Sequence, residues 1–147
     1  ETVNYCESLA RSHAYAEWLA VMAVGGPARE ALLALLALTV ELRQIPEKTT
    51  EEMLAHIRFA WWREGVQALT DGKPAREHPV LQALKMPEYA LKLIDAAQEA
   101  YPAPLPHFAD ALDEAALAAL ADTPNAARRW KELRQVAGRH YARHGER

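Results

Sequence analysis

The run Ala-Leu-Leu-Ala-Leu-Leu-Ala-Leu-Thr-Val at residues 31–40 is the feature that most constrains the fold. Alanine and leucine favour helix, and the run carries no charge on any side. A helix that is apolar all round belongs at the centre of a bundle, because no face of it can turn towards water. We expect this helix to span residues 27–44, with Pro27 in its first turn and an end before Pro46.

The rest of the sequence also predicts helices. No window alternates apolar and polar residues over a useful length, which is the pattern of a half-buried strand. Half of the residues are hydrophobic, so a chain of 147 residues can bury one substantial core. The sequence therefore predicts a single all-α domain, with further helices at residues 4–24, 50–70, 79–84, 87–101, 107–121 and from 124 onwards.

The proline-rich stretch Pro-Ala-Pro-Leu-Pro at residues 102–106 predicts a stiff, extended linker. We interpret residues 1–101 as the main helical core and residues 107–147 as a C-terminal helical hairpin of the same domain. The charge pattern changes here as well. Residues 95–125 contain six acidic side chains and no Lys or Arg, whereas residues 128–147 contain seven Lys or Arg and two Glu.

The segment Ile-Arg-Phe-Ala-Trp-Trp-Arg-Glu at residues 57–64 places two adjacent tryptophans about 100° apart on a helix. Such a helix is expected to bury two adjoining faces, one with Leu54, Ile57, Trp61, Gly65 and Ala68, the other with Phe59, Trp62, Val66 and Leu69. Arg58 lies within this apolar arc, and a buried guanidinium needs a partner. We expect a buried ion pair with Glu41; the alternative is that Arg58 binds an anion.

Several other side chains are candidates for contacts with a ligand or partner. The aromatic residues are predicted to be core, or else to line a groove for an apolar ligand: Trp18, Phe59, Trp61 and Trp62. The basic C-terminal helix is predicted to be solvated, or else to form an interface anchored by a tryptophan: Arg128, Arg129, Trp130, Lys131 and Arg134. If the basic helix does form an interface, the acidic residues 95–125 of the same chain would compete with the partner for its Arg and Lys side chains.

Charge and composition exclude some classes of protein. The net charge of −3 gives no overall field that attracts nucleic acid, so no nucleic-acid partner is expected. The single cysteine, Cys6, excludes an internal disulfide framework and fits a reducing compartment. The longest apolar run is too short for a bilayer, which needs about 20 residues. We expect a cytoplasmic protein or one peripheral to the inner membrane, in the mitochondrial matrix if the source is a eukaryote.

The order of these signals resembles the squalene/phytoene synthase family, and in particular the side branch that includes an assembly factor of respiratory complex I. The specific parts are Ile-Arg-x-x-Trp-Trp-Arg-Glu and the later His-Pro-Val. The resemblance covers about the first two thirds of the chain and fades after Leu105. It is carried by Trp18-Leu19-Ala20 and by residues 27–32, 34–42, 57–64, 78–84 and 93–96.

The resemblance implies an all-α domain around a cavity, in which two aspartate-rich motifs hold Mg²⁺ for the joining of two prenyl diphosphates. Arg43 and Glu47 stand where the first pair of aspartates is expected, and Pro46 is expected to break the helix between them. Asp110, Asp113 and Glu114 have the wrong spacing for the second motif. The chain is also about half as long as an active enzyme, so it resembles a truncated core.

These departures predict a catalytically inactive relative that acts by binding, as an accessory, assembly or subunit-type protein of a larger complex, for which the resemblance suggests a respiratory, membrane-associated one. No cofactor is expected, and Glu47 is at most a remnant metal ligand. A truncated fold should leave apolar surface that a second copy or a protein partner covers. The alternatives are a divergent prenyl-diphosphate transferase and an isoprenoid-lipid-binding protein.

Overall fold

The long apolar run forms the middle of a buried helix, as predicted. The computed structural model describes residues 2–144 and contains only helices, turns and loops within that range. The eight helices in order are α1 (Thr2–His13), α2 (Tyr15–Val24), α3 (Ala28–Lys48), α4 (Glu52–Thr70), α5 (Pro79–Ala83), α6 (Pro87–Ala100), α7 (Asp110–Ala119) and α8 (Pro124–His144).

Helix α3 is the centre of the fold. Every residue from Leu32 to Val40 is buried, and α3 packs against α1, α2, α4, α5, α6 and α7. Helix α4 lies against α3 and α6, while α8 packs on α2 and α7. The predicted all-α single domain is therefore confirmed, with its apolar core arranged around α3.

Two helix boundaries differ from the sequence prediction. The predicted first helix is broken at Ala14, whose backbone is at φ −147° and ψ 56°, so α1 and α2 are separate. Pro46 lies inside α3, which continues to Lys48. Proline removes one helical hydrogen bond, but only a last turn follows it, closed by a hydrogen bond from the Thr49 N–H to the Ile45 carbonyl at 3.1 Å.

The turn between α2 and α3 depends on glycine. Gly25 and Gly26 have φ values of 61° and 68°, in the left-handed region that a Cβ atom disfavours. The Arg29 side chain packs over this turn and donates a hydrogen bond to the Met22 carbonyl at 3.0 Å. The chain can therefore reverse direction tightly between two helices that pack against each other.

The proline-rich segment at residues 102–106 is packed into the domain. Leu105 is 2% exposed and belongs to the core. The carbonyls of Leu105 and Pro106 both accept hydrogen bonds from the side chain of Arg43 on α3. The segment thus attaches α7 and α8 to the central helix, where the sequence suggested an extended spacer.

Between residues 2 and 144, no helix combines the length and the apolar character needed to cross a bilayer.

Candidate functional site

A groove of about 590 Å³ lies beside the central helix. The C-terminal half of α3 forms one wall and α4 forms the other, with His78 at one end. Its volume falls in the range of small-molecule sites. The lining residues are Glu41, Gln44, Ile45, Lys48, Thr49, Leu54, Ile57, Arg58, Trp61, Trp62 and His78.

Glu41 lies in this groove with partners that the sequence did not indicate. Its Oε2 accepts a hydrogen bond from the Tyr5 hydroxyl at 3.1 Å and lies 3.6 Å from Nε2 of His78. Burial, together with the nearby Glu41 carboxylate, raises the pKa of Tyr5. His78 also accepts a hydrogen bond from the Val80 N–H at 3.1 Å, which caps α5. The carboxylate is therefore held by α1 and by the start of α5.

The predicted ion pair between Arg58 and Glu41 is wrong. Arg58 is exposed at the mouth of the groove, and it forms no ion pair with any residue that the structure describes. The prediction failed because the face of α4 that carries Arg58 is turned away from the core. Arg58 and Lys48 are thus two free cations at the rim of this groove within residues 2–144.

The aromatic side chains of α4 divide between core and surface. Phe59 and Trp62 are 1% and 6% exposed, as expected for core residues. The other face of α4 was predicted to be buried and is so only in part among the described residues: Gly65 is buried against Leu81, whereas Leu54, Ile57 and Trp61 are exposed. Its large apolar side chains form a strip on the surface that we call the α4 stripe: Met53, Leu54, Ile57 and Trp61.

Arg43 is buried on the other side of α3. It donates hydrogen bonds to the Leu105 carbonyl at 3.0 Å and to Oε2 of Glu17 at 3.3 Å. Glu17 also accepts hydrogen bonds from the Phe108 N–H at 2.8 Å and pairs through Oε1 with Nδ1 of His107 at 2.5 Å. We call Glu17, Arg43 and His107 the Arg43 cluster.

The Arg43 cluster keeps the Glu17 carboxylate ionised. Burial alone would raise its pKa, but the hydrogen bond with His107, the charge of Arg43 and the Phe108 N–H together outweigh burial, so the pKa of Glu17 is lowered. His107 stacks on the ring of Tyr141 at 4.0 Å between centroids, which links the cluster to α8. The arrangement is a buried ion pair that joins α2, α3 and the segment before α7, although Nη1 of Arg43 is buried without a hydrogen-bond partner among the described residues.

Trp18 lies away from the groove. Its ring is half-buried, with Tyr15 stacked on it at 5.5 Å between centroids and the Arg11 guanidinium 5.3 Å from its centre. It therefore does not join Trp61 and Trp62 in one aromatic wall, as the groove interpretation of the sequence had proposed.

Most of the C-terminal basic residues make contacts within the domain, so they are not available to form an interface with a partner. Trp130 is 1% exposed and donates from Nε1 to Oδ1 of Asp113 at 3.0 Å, so it cannot anchor an external partner. Arg134 pairs with the other oxygen of Asp113 at 2.9 Å. Arg129 donates to the Ala23 carbonyl at 3.1 Å and Arg128 to Asn125 at 2.7 Å, which leaves Lys131 exposed on this side.

Magnesium does not fit the residues at the expected first motif. Glu41 faces the large groove, whereas Glu47 is exposed beside a second cleft on the opposite side of α3. Arg43 lies between them in sequence and brings a positive charge. Within residues 2–144, no three His, Cys, Asp or Glu side chains are placed to hold a metal ion. Two carboxylates that face different clefts cannot chelate one cation.

Two members of the Arg43 cluster, Glu17 and His107, were not identified from the sequence. A signal for Glu17 was present, because it is the only charged residue between Ala14 and Ala28. A lone carboxylate in an apolar helix requires a buried partner. The partner residues lie far away in sequence, and no local pattern could indicate which cation or histidine would meet it.

These features define an all-α protein whose main cleft lies beside a buried central helix. The family model for squalene/phytoene synthase matches residues 10–145, and the chain belongs to this family. The match extends well beyond Leu105, so the prediction that the resemblance ends there is wrong. Comparisons with curated proteins and with solved structures gave no match.

Proposed function

We propose that this chain is a non-catalytic member of the squalene/phytoene synthase family that acts by binding. In this proposal it is an accessory, assembly or subunit-type protein of a larger complex. A membrane-associated respiratory complex is the particular case that the side branch of the family suggests.

The observation that carries the proposal is the position of Arg43. It stands where the first acidic motif of the family is expected, and its guanidinium is committed to Glu17 and to the Leu105 and Pro106 carbonyls. A guanidinium has only donors and cannot coordinate a cation. The remaining carboxylates of α3, Glu41 and Glu47, face different clefts. This arrangement supports a structural role for Arg43 and argues against a Mg²⁺ site that would assist the release of diphosphate.

A binding role is supported by the α4 stripe. Contiguous apolar side chains on a surface typically mark a site of contact with another molecule. Met53 is 74% exposed and Ile57 is 57% exposed, although both lie on a helix whose other face is core. Such a surface supports a role in binding, either to another protein or to a second copy of this chain.

The test is incubation of the purified chain with farnesyl diphosphate and Mg²⁺, followed by measurement of released pyrophosphate. We expect no release above a protein-free blank, while an active enzyme of the family serves as the positive control. Release that depends on both the chain and Mg²⁺ would overturn the proposal. Affinity capture from the native host should then recover subunits of one complex in a constant ratio; recovery of chaperones alone would argue against an assembly role.

A second candidate function is the binding of an isoprenoid lipid or prenyl diphosphate. It is favoured by the groove itself, which combines apolar walls from Ile45, Leu54 and Trp62 with the cations Lys48 and Arg58 at its mouth. Native mass spectrometry of the purified chain separates the two functions. A retained lipid would favour the second, and a bare chain that does not bind farnesyl diphosphate in calorimetry would remove it.

A further inference from the structure

The α4 stripe is a continuous ridge on one side of a single helix. Met53, Ile57 and Trp61 follow each other at intervals of four residues, which places them on one face, and Leu54 lies beside them. Leu54, Ile57 and Trp61 also line the groove between α3 and α4. The surface therefore presents an apolar ridge directly next to a groove of about 590 Å³.

The charges around the α4 stripe change sign along the helix. Glu51 and Glu52 are exposed at its start, and Arg58 is exposed two turns later. Neither Glu51 nor Arg58 has an ion-pair partner in residues 2–144, and Glu52 reaches only His56 on its own helix at 3.5 Å. The α4 stripe is thus flanked by an unpaired acid before Met53 and an unpaired base between Ile57 and Trp61.

We propose that a second copy of this chain covers the α4 stripe, with a twofold axis crossing α4 between Leu54 and Ile57. A twofold interface must be complementary to itself, because each copy contributes the same patch. Antiparallel pairing of two α4 helices brings Arg58 of each copy beside Glu51 of the other, because both residues lie on the same flank of the stripe. It also sets each ridge against the groove of the other copy and aligns the two helix dipoles in opposite directions.

Charge complementarity is the reason to choose a second copy over another occupant. A prenyl diphosphate or another anion in the groove would match Arg58 and Lys48 but would leave Glu51 unpaired and the exposed Met53 uncovered, since neither residue lines the groove. An antiparallel copy pairs Arg58 with Glu51 and covers the apolar ridge at the same time. The inference does not depend on the proposed function, since a dimer can form whether or not the chain releases pyrophosphate.

The first test is the mass of the full chain in solution, measured by light scattering and sedimentation at several concentrations. We expect a species of twice the 16.4 kDa chain mass that dissociates on dilution. Ile57→Glu should convert it to a monomer with an unchanged helical circular dichroism spectrum, because Ile57 is exposed. Val136→Glu is the matched control: Val136 is 54% exposed on α8, away from the stripe, and its variant should remain a dimer.

The second test exchanges the charges. Arg58→Glu places like charges opposite each other in its homodimer, and Glu51→Arg does the same with the opposite sign. Each variant alone should be monomeric. Mixed in equal amounts they should form a heterodimer, because every contact between residue 58 and residue 51 is then between opposite charges.

The results that would overturn the inference are equally definite. They are a wild-type monomer at every concentration, a dimer that persists in Ile57→Glu, or charge variants that stay monomeric when mixed. A monomer that retains a lipid in the groove would also overturn it. Pyrophosphate release is assayed on wild type and on Ile57→Glu separately, so the proposed function and the dimer can fail independently.

Discussion

The Glu17 carboxylate lies 2.5 Å from Nδ1 of His107, although ninety positions separate the two residues in the chain. The same carboxylate receives the Arg43 guanidinium at 3.3 Å and the Phe108 N–H at 2.8 Å. Three distant parts of the sequence therefore meet at one buried negative charge. Removal of this charge should therefore lower the free energy of unfolding of the whole domain.

Glu17→Gln keeps the size of the side chain and removes its charge. Arg43 would then be a buried cation without a counter-charge, and breaking a buried pair in this way costs about 3–5 kcal/mol of the free energy of unfolding. Urea titration followed by circular dichroism measures the loss. Glu114→Gln is the control, because it removes an exposed pair with Lys92 at 3.1 Å and should change stability by about 1 kcal/mol or less. Equal losses in the two variants would contradict a special role for Glu17.

The same variant tests the pH dependence of stability. Burial opposes the ionisation of Glu17, but His107, Arg43 and Phe108 outweigh it, so its pKa is lower in the folded protein than in the unfolded chain. The stabilisation is therefore complete above the ordinary pKa of Glu and is lost as pH falls through the lower folded-state pKa. Between about pH 6 and pH 2, the stability of wild type should fall more steeply than that of Glu17→Gln.

Parallel stability curves for the two proteins would show that Glu17 does not carry this dependence. Asp113, whose pKa is raised by burial despite its bonds to Arg134 and Trp130, contributes with the opposite sign. It is unchanged in both proteins and so cancels from the difference between the curves.

The adjacent tryptophans of α4 should differ sharply in their contribution to stability. Trp62 is 6% exposed and Trp61 is 39% exposed. Trp62→Ala should cost about 3–5 kcal/mol through the cavity that it leaves, and Trp61→Ala about 1 kcal/mol or less. Both are measured by denaturant titration in the Ile57→Glu background, which removes any contribution from pairing of two copies. Similar losses of unfolding free energy in the two variants would mean that the Trp61 face of α4 is buried as well as the Trp62 face.

A comparison of neighbours in α8 tests whether this helix belongs to the core. Trp130→Ala should lower the free energy of unfolding by about 3–5 kcal/mol, because Trp130 fills a buried site and its Nε1–H is bonded to Asp113. Lys131→Ala, one position along on the exposed side, should change it by about 0.5 kcal/mol or less. A stable Trp130→Ala variant with native thermal unfolding would show that α8 is dispensable for the fold.

The sequence predicts the class of fold well because that prediction depends on sums over many residues. The uncharged run at residues 31–40 was predicted to be surrounded by other helices, and residues 32–40 are all buried. Single boundaries were less predictable. Ala14 has a strong helix preference, yet it interrupts a helix because packing of α2 on α3 and α8 overrides local propensity. Pro46 is tolerated because only one turn of α3 follows it.

The candidate site was harder to predict because a helical wheel shows which side chains share a face and not whether a neighbour covers that face. Trp61 and Arg58 were assigned to the interior on that basis, and both are exposed. Arg43 was correctly recognised as unable to bind magnesium. Its actual partner, Glu17, could be found only from the packing of α2 against α3.

The join between the two parts of the chain has a mechanical consequence. Because the Leu105 and Pro106 carbonyls are fastened to Arg43, the proline-rich segment cannot act as a hinge. A load applied to α8 passes into the middle of the molecule through its packing on α2 and α7, through the stacked pair of His107 and Tyr141, and through this join. The first and last thirds of the polypeptide should therefore melt together in one cooperative transition.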